Sequence, residues 1–149
     1  MAQFASLLIA NRGEISIRIQ RTARRMGLRT IAVYSEGDRD ARHAREADAA
    51  VCIGPASPRA SYLNSAAILD AARRTRAQAV HPGYGFLAES ADFAQAVLDA
   101  GLVWVGPPPQ AIRAMGDKAE AKRLARKAQV PVLPGTDADD LLITVNATG

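Results

Sequence analysis

His81-Pro-Gly-Tyr-Gly-Phe-Leu-Ala-Glu-Ser90 follows the short β-prone run Ala79-Val80-His81 and precedes an amphipathic segment. Asn11-Arg12-Gly13-Glu14 has the same setting. It lies between the apolar run 6–10 and a segment with Ile15, Ile19, Ala23 and Met26 at helical spacing. Both stretches read as strand-to-helix turns of an α/β sheet, the position where such sheets hold ligands. Working outward, the first helix stops at Gly27 and residues 30–34 give a second strand, which completes one βαβ unit. Residues 50–53 form a third strand, and Asn64 caps an Ala/Ile/Leu helix running to about Arg76. Residues 79–81 are the fourth strand, and Ser90 caps a helix ending at Gly101. Residues 102–105 are the fifth strand, closed by Gly106 and Pro107-Pro-Pro109. The alternation predicts an α/β fold with a doubly wound parallel sheet of about five strands, right-handed crossovers and helices on both faces. In the commonest order, 3-2-1-4-5, strands 1 and 4 flank the switch point. The turns after them, 11–14 and 82–89, then lie side by side at the carboxyl edge.

A length of 149 residues fits one domain able to bury a sizeable core. A hydrophobic fraction of 48% and a charged fraction of 23% are ordinary for a globular chain. No apolar run approaches the roughly 18 residues of a membrane span. Met1-Ala-Gln-Phe lacks the charged and apolar regions of a signal peptide. No membrane partner is expected, and the expected compartment is the cytoplasm, or an organelle matrix if a transit peptide was removed. The single cysteine, Cys52, cannot form an internal disulfide and is expected to be a small buried hydrophobe between Val51 and Ile53. The net charge of +4 comes largely from arginine-rich stretches at 12–45 and 113–127, which are either a solvated face or a surface for an anionic ligand or partner subunit. Aromatic residues at 5% argue against a stacking platform for nucleic acid.

Gly13 lacks a G-x-G-x-x-G context, which argues against a dinucleotide cofactor and leaves it easing a tight turn. His81 precedes Pro82 and is pushed to an extended conformation, while Gly83 and Gly85 let backbone approach a ligand. His81 is either a hydrogen-bonded structural residue or a proton-transfer group. Residues 117–129 read as an amphipathic helix. Asp117 suits its cap, whereas Lys118 opposes the helix dipole, so Lys118 is either solvated or held there for a ligand. Arg18, Arg21 and Arg25 form a basic stripe on the first helix, expected opposite the Ile15/Ile19 face. Residues 136–149 change character, and Leu141 to Val145 is either an added strand or a frayed end.

Several motifs stand together in order and spacing: Leu7-Leu-Ile-Ala-Asn-Arg-Gly-Glu-Ile15, Ala32-Val-Tyr-Ser35, Val51-Cys-Ile-Gly-Pro55, Ser61-Tyr-Leu-Asn64, His81 to Ser90, Val105-Gly-Pro107 and Met115 to Lys118. Over residues 5–135 the chain thereby resembles the N-terminal, pre-ATP-grasp domain of biotin carboxylases, the ATP-dependent part of acyl-CoA and pyruvate carboxylases. The resemblance implies a Rossmann-like domain, residues 1–114, followed by a helical connector, 115–135, toward an ATP-grasp domain that the chain lacks, and an unmatched tail, 136–149. It implies ATP- and bicarbonate-dependent carboxylation of biotin on a carrier protein, with ATP, Mg2+ and biotin as cofactors. The implied partners are the ATP-grasp domain, the biotin carboxyl carrier protein and the carboxyltransferase. By the same resemblance Lys118 contacts ATP phosphates. The loop of His81, Gly83, Tyr84, Gly85 and Glu89 borders the biotin and bicarbonate pocket, with Tyr84 and Gly85 touching biotin and Glu89 anchoring the loop. Asn11, Arg12 and Glu14 line the cleft facing the ATP-grasp domain. Arg18, Arg21 and Arg25 fall on the dimer face; Arg25 stands where many relatives carry an acid, so a monomer or weak homodimer is expected. Catalytic residues and metal ligands are expected in the ATP-grasp domain and not here, leaving the isolated chain catalytically incomplete. The alternative is a non-catalytic truncated or standalone domain acting in assembly or binding.

Overall fold

The structure, a computed structural model, describes residues 4–132, without the side chain of Lys118. Five strands, β1 (Ser6–Ile9), β2 (Arg29–Tyr34), β3 (Ala49–Cys52), β4 (Ala79–His81) and β5 (Val103–Trp104), form one sheet. Its order is β3-β2-β1-β4-β5 and every pairing is parallel, as the alternation predicts. The described residues contain the helices α1 (Gly13–Arg25), α2 (Arg42–Glu46), α3 (Ser65–Thr75), α4 (Ala91–Asp99), α5 (Pro109–Gly116) and α6 (Lys118–Lys127). The chain divides into two compact units, one ending at Pro109 and the other beginning at Gln110. The sheet and the candidate site lie in the first.

Strands of a parallel sheet are covered on both faces and so read as continuous apolar runs. Leu7, Leu8, Ile9, Ile31, Ala32, Val33 and Val80 are all buried accordingly. Helix α3 buries Ile68, Ala71 and Ala72, and α4 buries Phe93, Ala94 and Val97. Phe93 meets Trp104 edge to face at 5.7 Å. The expected caps are present. Asn64 Oδ1 accepts from the Ala67 N–H at 3.1 Å, Ser90 Oγ from the Phe93 N–H at 3.1 Å, and the Asp117 carboxylate from the N–H groups of Ala119 and Glu120.

Four local expectations are corrected. The buried face of α1 is Ser16, Gln20 and Ala23 and not the Ile15/Ile19 stripe; Ile15 and Ile19 are half-buried and Met26 is 59% exposed. The reason is a polar contact with α2: Gln20 Nε2 donates to the His43 carbonyl at 2.8 Å and to Ser16 Oγ at 3.2 Å. Helix α2 itself escapes periodicity because five residues are too few to show a repeat. Cys52 is half-buried near the Gly54 carbonyl, and is not a core hydrophobe. Finally, the proline run opens α5 as well as closing β5, because proline at a helix start lacks only an N–H that would have no intrahelical partner. Residues 136–149, and with them Leu141 to Val145, lie outside the described residues.

Candidate functional site

Ile9 is level with Ala32 on one side and His81 on the other, and the Ala10 N–H donates to the His81 carbonyl at 2.9 Å. The turns leaving β1 and β4 therefore start from the same height at the carboxyl edge. They are bonded to each other through Asn11, whose side chain is fully buried. Its Nδ2 donates to the carbonyls of Pro82 at 2.7 Å and Tyr84 at 2.9 Å, while Oδ1 accepts from the Arg12 N–H at 2.9 Å. Gly83 lies between those two carbonyls at φ +70°. A Cβ there would come within 2.7 Å of Asn11 Nδ2 and 2.8 Å of Ile15 Cγ2. Only glycine meets both the conformational and the steric condition.

The Gly83 N–H donates to His81 Nδ1 at 3.0 Å, so the neutral ring carries its proton on Nε2. Burial pushes the His81 pKa below the usual histidine value, which favours that neutral form. Tyr84 is 62% exposed and its hydroxyl donates to Glu14 at 2.5 Å; that bond raises the phenol's pKa. Gly85 has φ +67°, and a Cβ there would meet nothing within 4 Å, so its Cα face is open, while its carbonyl accepts from the Ala88 N–H at 2.9 Å. Phe86 takes φ +45°, unusual for a non-glycine residue, and stacks on Tyr62 with centroids 5.4 Å apart.

Arg12 covers this pair, its guanidinium carbon 5.5 Å from the Tyr62 ring and 5.8 Å from the Phe86 ring. It also pairs with Asp38 at 3.3 Å. The same Asp38 oxygen accepts from the Tyr62 hydroxyl at 2.7 Å and from Ser35 Oγ at 3.2 Å, and the Ser35 N–H donates to the Tyr62 oxygen at 3.0 Å. Burial raises the Asp38 pKa, but the hydrogen bonds from Tyr62, Arg12 and Ser35 outweigh it and hold the carboxyl below its usual range. Burial first, then the Asp38 carboxylate, pushes the Tyr62 phenol up to about 12. Sequence reading missed Asp38 and Tyr62 as site residues. Tyr62 stood within the Ser61-Tyr-Leu-Asn64 motif, whereas nothing in the spacing of Asp38 links it to a turn 24 residues away.

Beside α1 runs a mostly apolar groove of about 610 Å³, lined in part by Ile15, Ile19, His81, Gly83 and Tyr84. Arg18 lines it too, which corrects the expectation that its stripe lies opposite the Ile15/Ile19 face. Arg18, Arg21 and Arg25 are exposed, and Arg21 and Arg18 act on Glu46 and Tyr84 through their charge. Glu89 ends a short 3-10 turn and is exposed, while Asn11 and Glu14 bond to the loop. Lys118 opens α6 behind its Asp117 cap, and its side chain lies outside the described residues. Among the described residues no group of three or more His, Cys, Asp or Glu could hold a metal ion. None of their helices is long and apolar enough to cross a membrane.

Known proteins place this arrangement. The family described as the N-terminal domain of biotin carboxylase matches residues 3–112. The mitochondrial alpha subunit of methylcrotonoyl-CoA carboxylase from Arabidopsis thaliana is 59% identical over 129 residues, 87% of this chain and 18% of that protein. Biotin carboxylase of Allochromatium vinosum is 52% identical over 136 residues, 91% of this chain and 30% of the relative. Among solved structures, a biotin carboxylase complex with β,γ-ATP from Campylobacter jejuni has a TM-score of 0.86 at 46% identity, covering 91% of this chain and 30% of that one. The biotin carboxylase domain dimer of Hydrogenobacter thermophilus 2-oxoglutarate carboxylase, in complex with MgADP, ADP and bicarbonate, has a TM-score of 0.87 at 39% identity, covering 100% of this chain and 34% of that one. The chain thus spans only 18% to 30% of the length of the curated relatives named. With the family match running through the sheet, both clasped turns and the start of α5, the chain belongs to the biotin carboxylase N-terminal domain family.

Proposed function

We propose that the chain forms the N-terminal wall of a biotin carboxylase active site, acting in the ATP- and bicarbonate-dependent carboxylation of biotin on a carrier protein within an acyl-CoA carboxylase. The observation that carries this reading is the loop 83–86, where the Cα face of Gly85 is open, Tyr84 stands exposed, and the backbone is fixed from behind. Tyr84 and Gly85 hold the biotin ureido ring, with His81 behind them kept neutral. Arg12 and Glu14 line the cleft that an ATP-grasp domain closes, and Lys118 contributes one contact to ATP phosphates. ATP supplies the phosphoryl group that activates bicarbonate. By the same reading the Mg2+ ligands belong to the ATP-grasp domain. The remaining partners are the carboxyl carrier protein and the carboxyltransferase, in the cytoplasm or an organelle matrix.

One wall is not a complete site. A charge-assisted hydrogen bond contributes about 1.5–3 kcal/mol, short of the roughly 4.1 kcal/mol that millimolar affinity requires. The isolated chain is therefore expected neither to hydrolyse ATP nor to carboxylate biotin. A chimera in which residues 1–136 replace the matching segment of the Allochromatium vinosum enzyme is expected to turn over ATP with dependence on bicarbonate and biotin. A folded chimera without biotin-dependent turnover, or micromolar ATP binding by the isolated chain that vanishes in Lys118→Ala, would overturn the reading.

A further inference from the structure

We propose that Asn11 is a positioning residue for the biotin-facing loop: its buried carboxamide fixes the backbone on both sides of Gly83 and so sets the orientation in which Tyr84 and Gly85 meet their ligand. The functional half of this inference rests on the carboxylase reading above.

Three observations carry it. First, the loop is held in conformations that do not persist unaided, with positive φ at Gly83, Gly85 and the non-glycine Phe86 in four consecutive residues. Second, the carboxamide is fully committed. Both hydrogens of Nδ2 go to loop carbonyls, at 2.7 Å to Pro82 and 2.9 Å to Tyr84, and Oδ1 is taken by the Arg12 N–H. No other side chain type of similar size offers two parallel donors and one acceptor without charge. Third, the contact is matched from the opposite side, because Gly83 leaves room for Nδ2 that any Cβ would occupy. The other tethers are of a different kind. The Tyr84–Glu14 bond is exposed, and Arg12 packs on Phe86 through ring faces without fixing a peptide. The Gly83 N–H bond to His81 Nδ1 holds one side of the Gly83 peptide, and the Asn11 bonds, buried at Pro82 and part-buried at Tyr84, are the ones that hold the carbonyls on both sides of Gly83.

The geometry also says what Asn11 does not do. Its polar atoms are used within the protein and its side chain is sealed, so it touches no substrate. Its effect reaches the reaction through the loop, and should fall on biotin while leaving ATP and the chemical step untouched.

The test has two readouts. On the full 149-residue chain, NMR relaxation reports native-state order, which does not depend on global stability. Wild-type amides of Gly83, Tyr84, Gly85 and Phe86 are expected near the rigid value of about 0.85, and in Asn11→Ala below about 0.6, with Leu7 to Ile9 of β1 unchanged. Should Asn11→Ala fail to fold, Asn11→Ser keeps a polar group in the buried position but is too short to reach both carbonyls, and the same loss of order is expected. In the chimera, the variant is expected to raise KM for biotin about tenfold with kcat and KM for ATP unchanged, the pattern of lost ground-state positioning. Loop order retained in the variants, or kcat and both KM values moving together, would overturn the proposal. The two readings fail separately. A wild-type chimera without biotin turnover, beside a loop that still loosens in Asn11→Ala, removes the carboxylase reading and leaves the clasp. Turnover with an unaltered loop removes the clasp and leaves the carboxylase.

Discussion

The carboxyl edge of the sheet and the outer face of α1 both look functional in sequence, yet they are built on opposite principles. At the edge, the Asn11 carboxamide, the Tyr62 hydroxyl and one Asp38 oxygen are placed against named partners, and the conformation of residues 83–86 is held by the Asn11 pairings. On α1, Arg18, Arg21 and Arg25 stand exposed and act on neighbours through their charge, Arg21 on Glu46 and Arg18 on Tyr84. Buried hydrogen bonds specify one geometry because losing a partner leaves a group unsatisfied, whereas an exposed guanidinium exchanges any partner for water at little loss. Substitution in the first region is therefore expected to cost stability, and substitution in the second to cost little.

The contrast breaks most readily at Asn11. Asn11→Ala removes both donors, one from the buried Pro82 carbonyl and one from the part-buried Tyr84 carbonyl, at about 1–3 kcal/mol each, and urea titration should show a loss of about 3 kcal/mol in unfolding free energy. A loss below about 1 kcal/mol would mean water substitutes freely at the edge, and the two regions would not differ in kind. Gly83→Ala comes next, at about 2 kcal/mol, from the left-handed backbone together with the close contacts to Asn11 and Ile15. Combining it with Asn11→Ala should give less than the sum, since the first substitution vacates the space the new Cβ enters. Additive effects would show the two positions to be independent.

Tyr62→Phe should lower stability by about 1.5 kcal/mol, because the hydroxyl serves both Asp38 and the Ser35 N–H in a buried setting. It should also let the Asp38 pKa rise, read by NMR titration of that carboxyl.

The histidines give a smaller effect with a definite sign. Burial, the largest influence on each, holds the folded-state pKa of His43 and of His81 below the unfolded value of about 6.5. Their stabilising contribution is complete above about pH 6.5 and is lost as the pH falls through the folded-state values. Asp38, also depressed, keeps its contribution to lower pH and loses it only below about pH 4. Urea midpoints measured from pH 7.5 to 5 should therefore decline, and His43→Gln should flatten that decline without abolishing it. An unchanged slope would contradict the neutral, buried state of His43.

Smallest of all, replacing Arg18, Arg21 and Arg25 singly with Ala should change stability by less than about 0.5 kcal/mol. Light scattering should find a monomer or a weak, salt-sensitive dimer. A tight dimer insensitive to salt would give the arginine face a specific partner after all and bring the two regions closer in kind.

Part of this arrangement is legible in the amino-acid sequence. The strand and helix alternation fixes a parallel order, and that order alone puts the turns 11–14 and 82–89 together, because topology depends on patterns summed over many residues. The caps at Asn64, Ser90 and Asp117 were legible too, since capping is a local bond between neighbours in sequence. The buried face of α1 was not legible in the same way. Periodicity counts apolar residues, and here the buried contact is a glutamine reaching a backbone carbonyl on a helix too short to announce itself.

What the amino-acid sequence determined by itself, then, is the sheet, its order, the neighbourhood of the two turns and the family to which their motifs point. The tertiary structure alone decided how the turns are joined. Asn11 meets Pro82 and Tyr84 across more than seventy residues, Tyr62 meets Asp38 across twenty-four, and Gly83 is confined by a side chain from another strand's end. Such pairings are set by distances after the sheet has closed, and one hydrogen bond between single residues leaves no repeating trace along the chain.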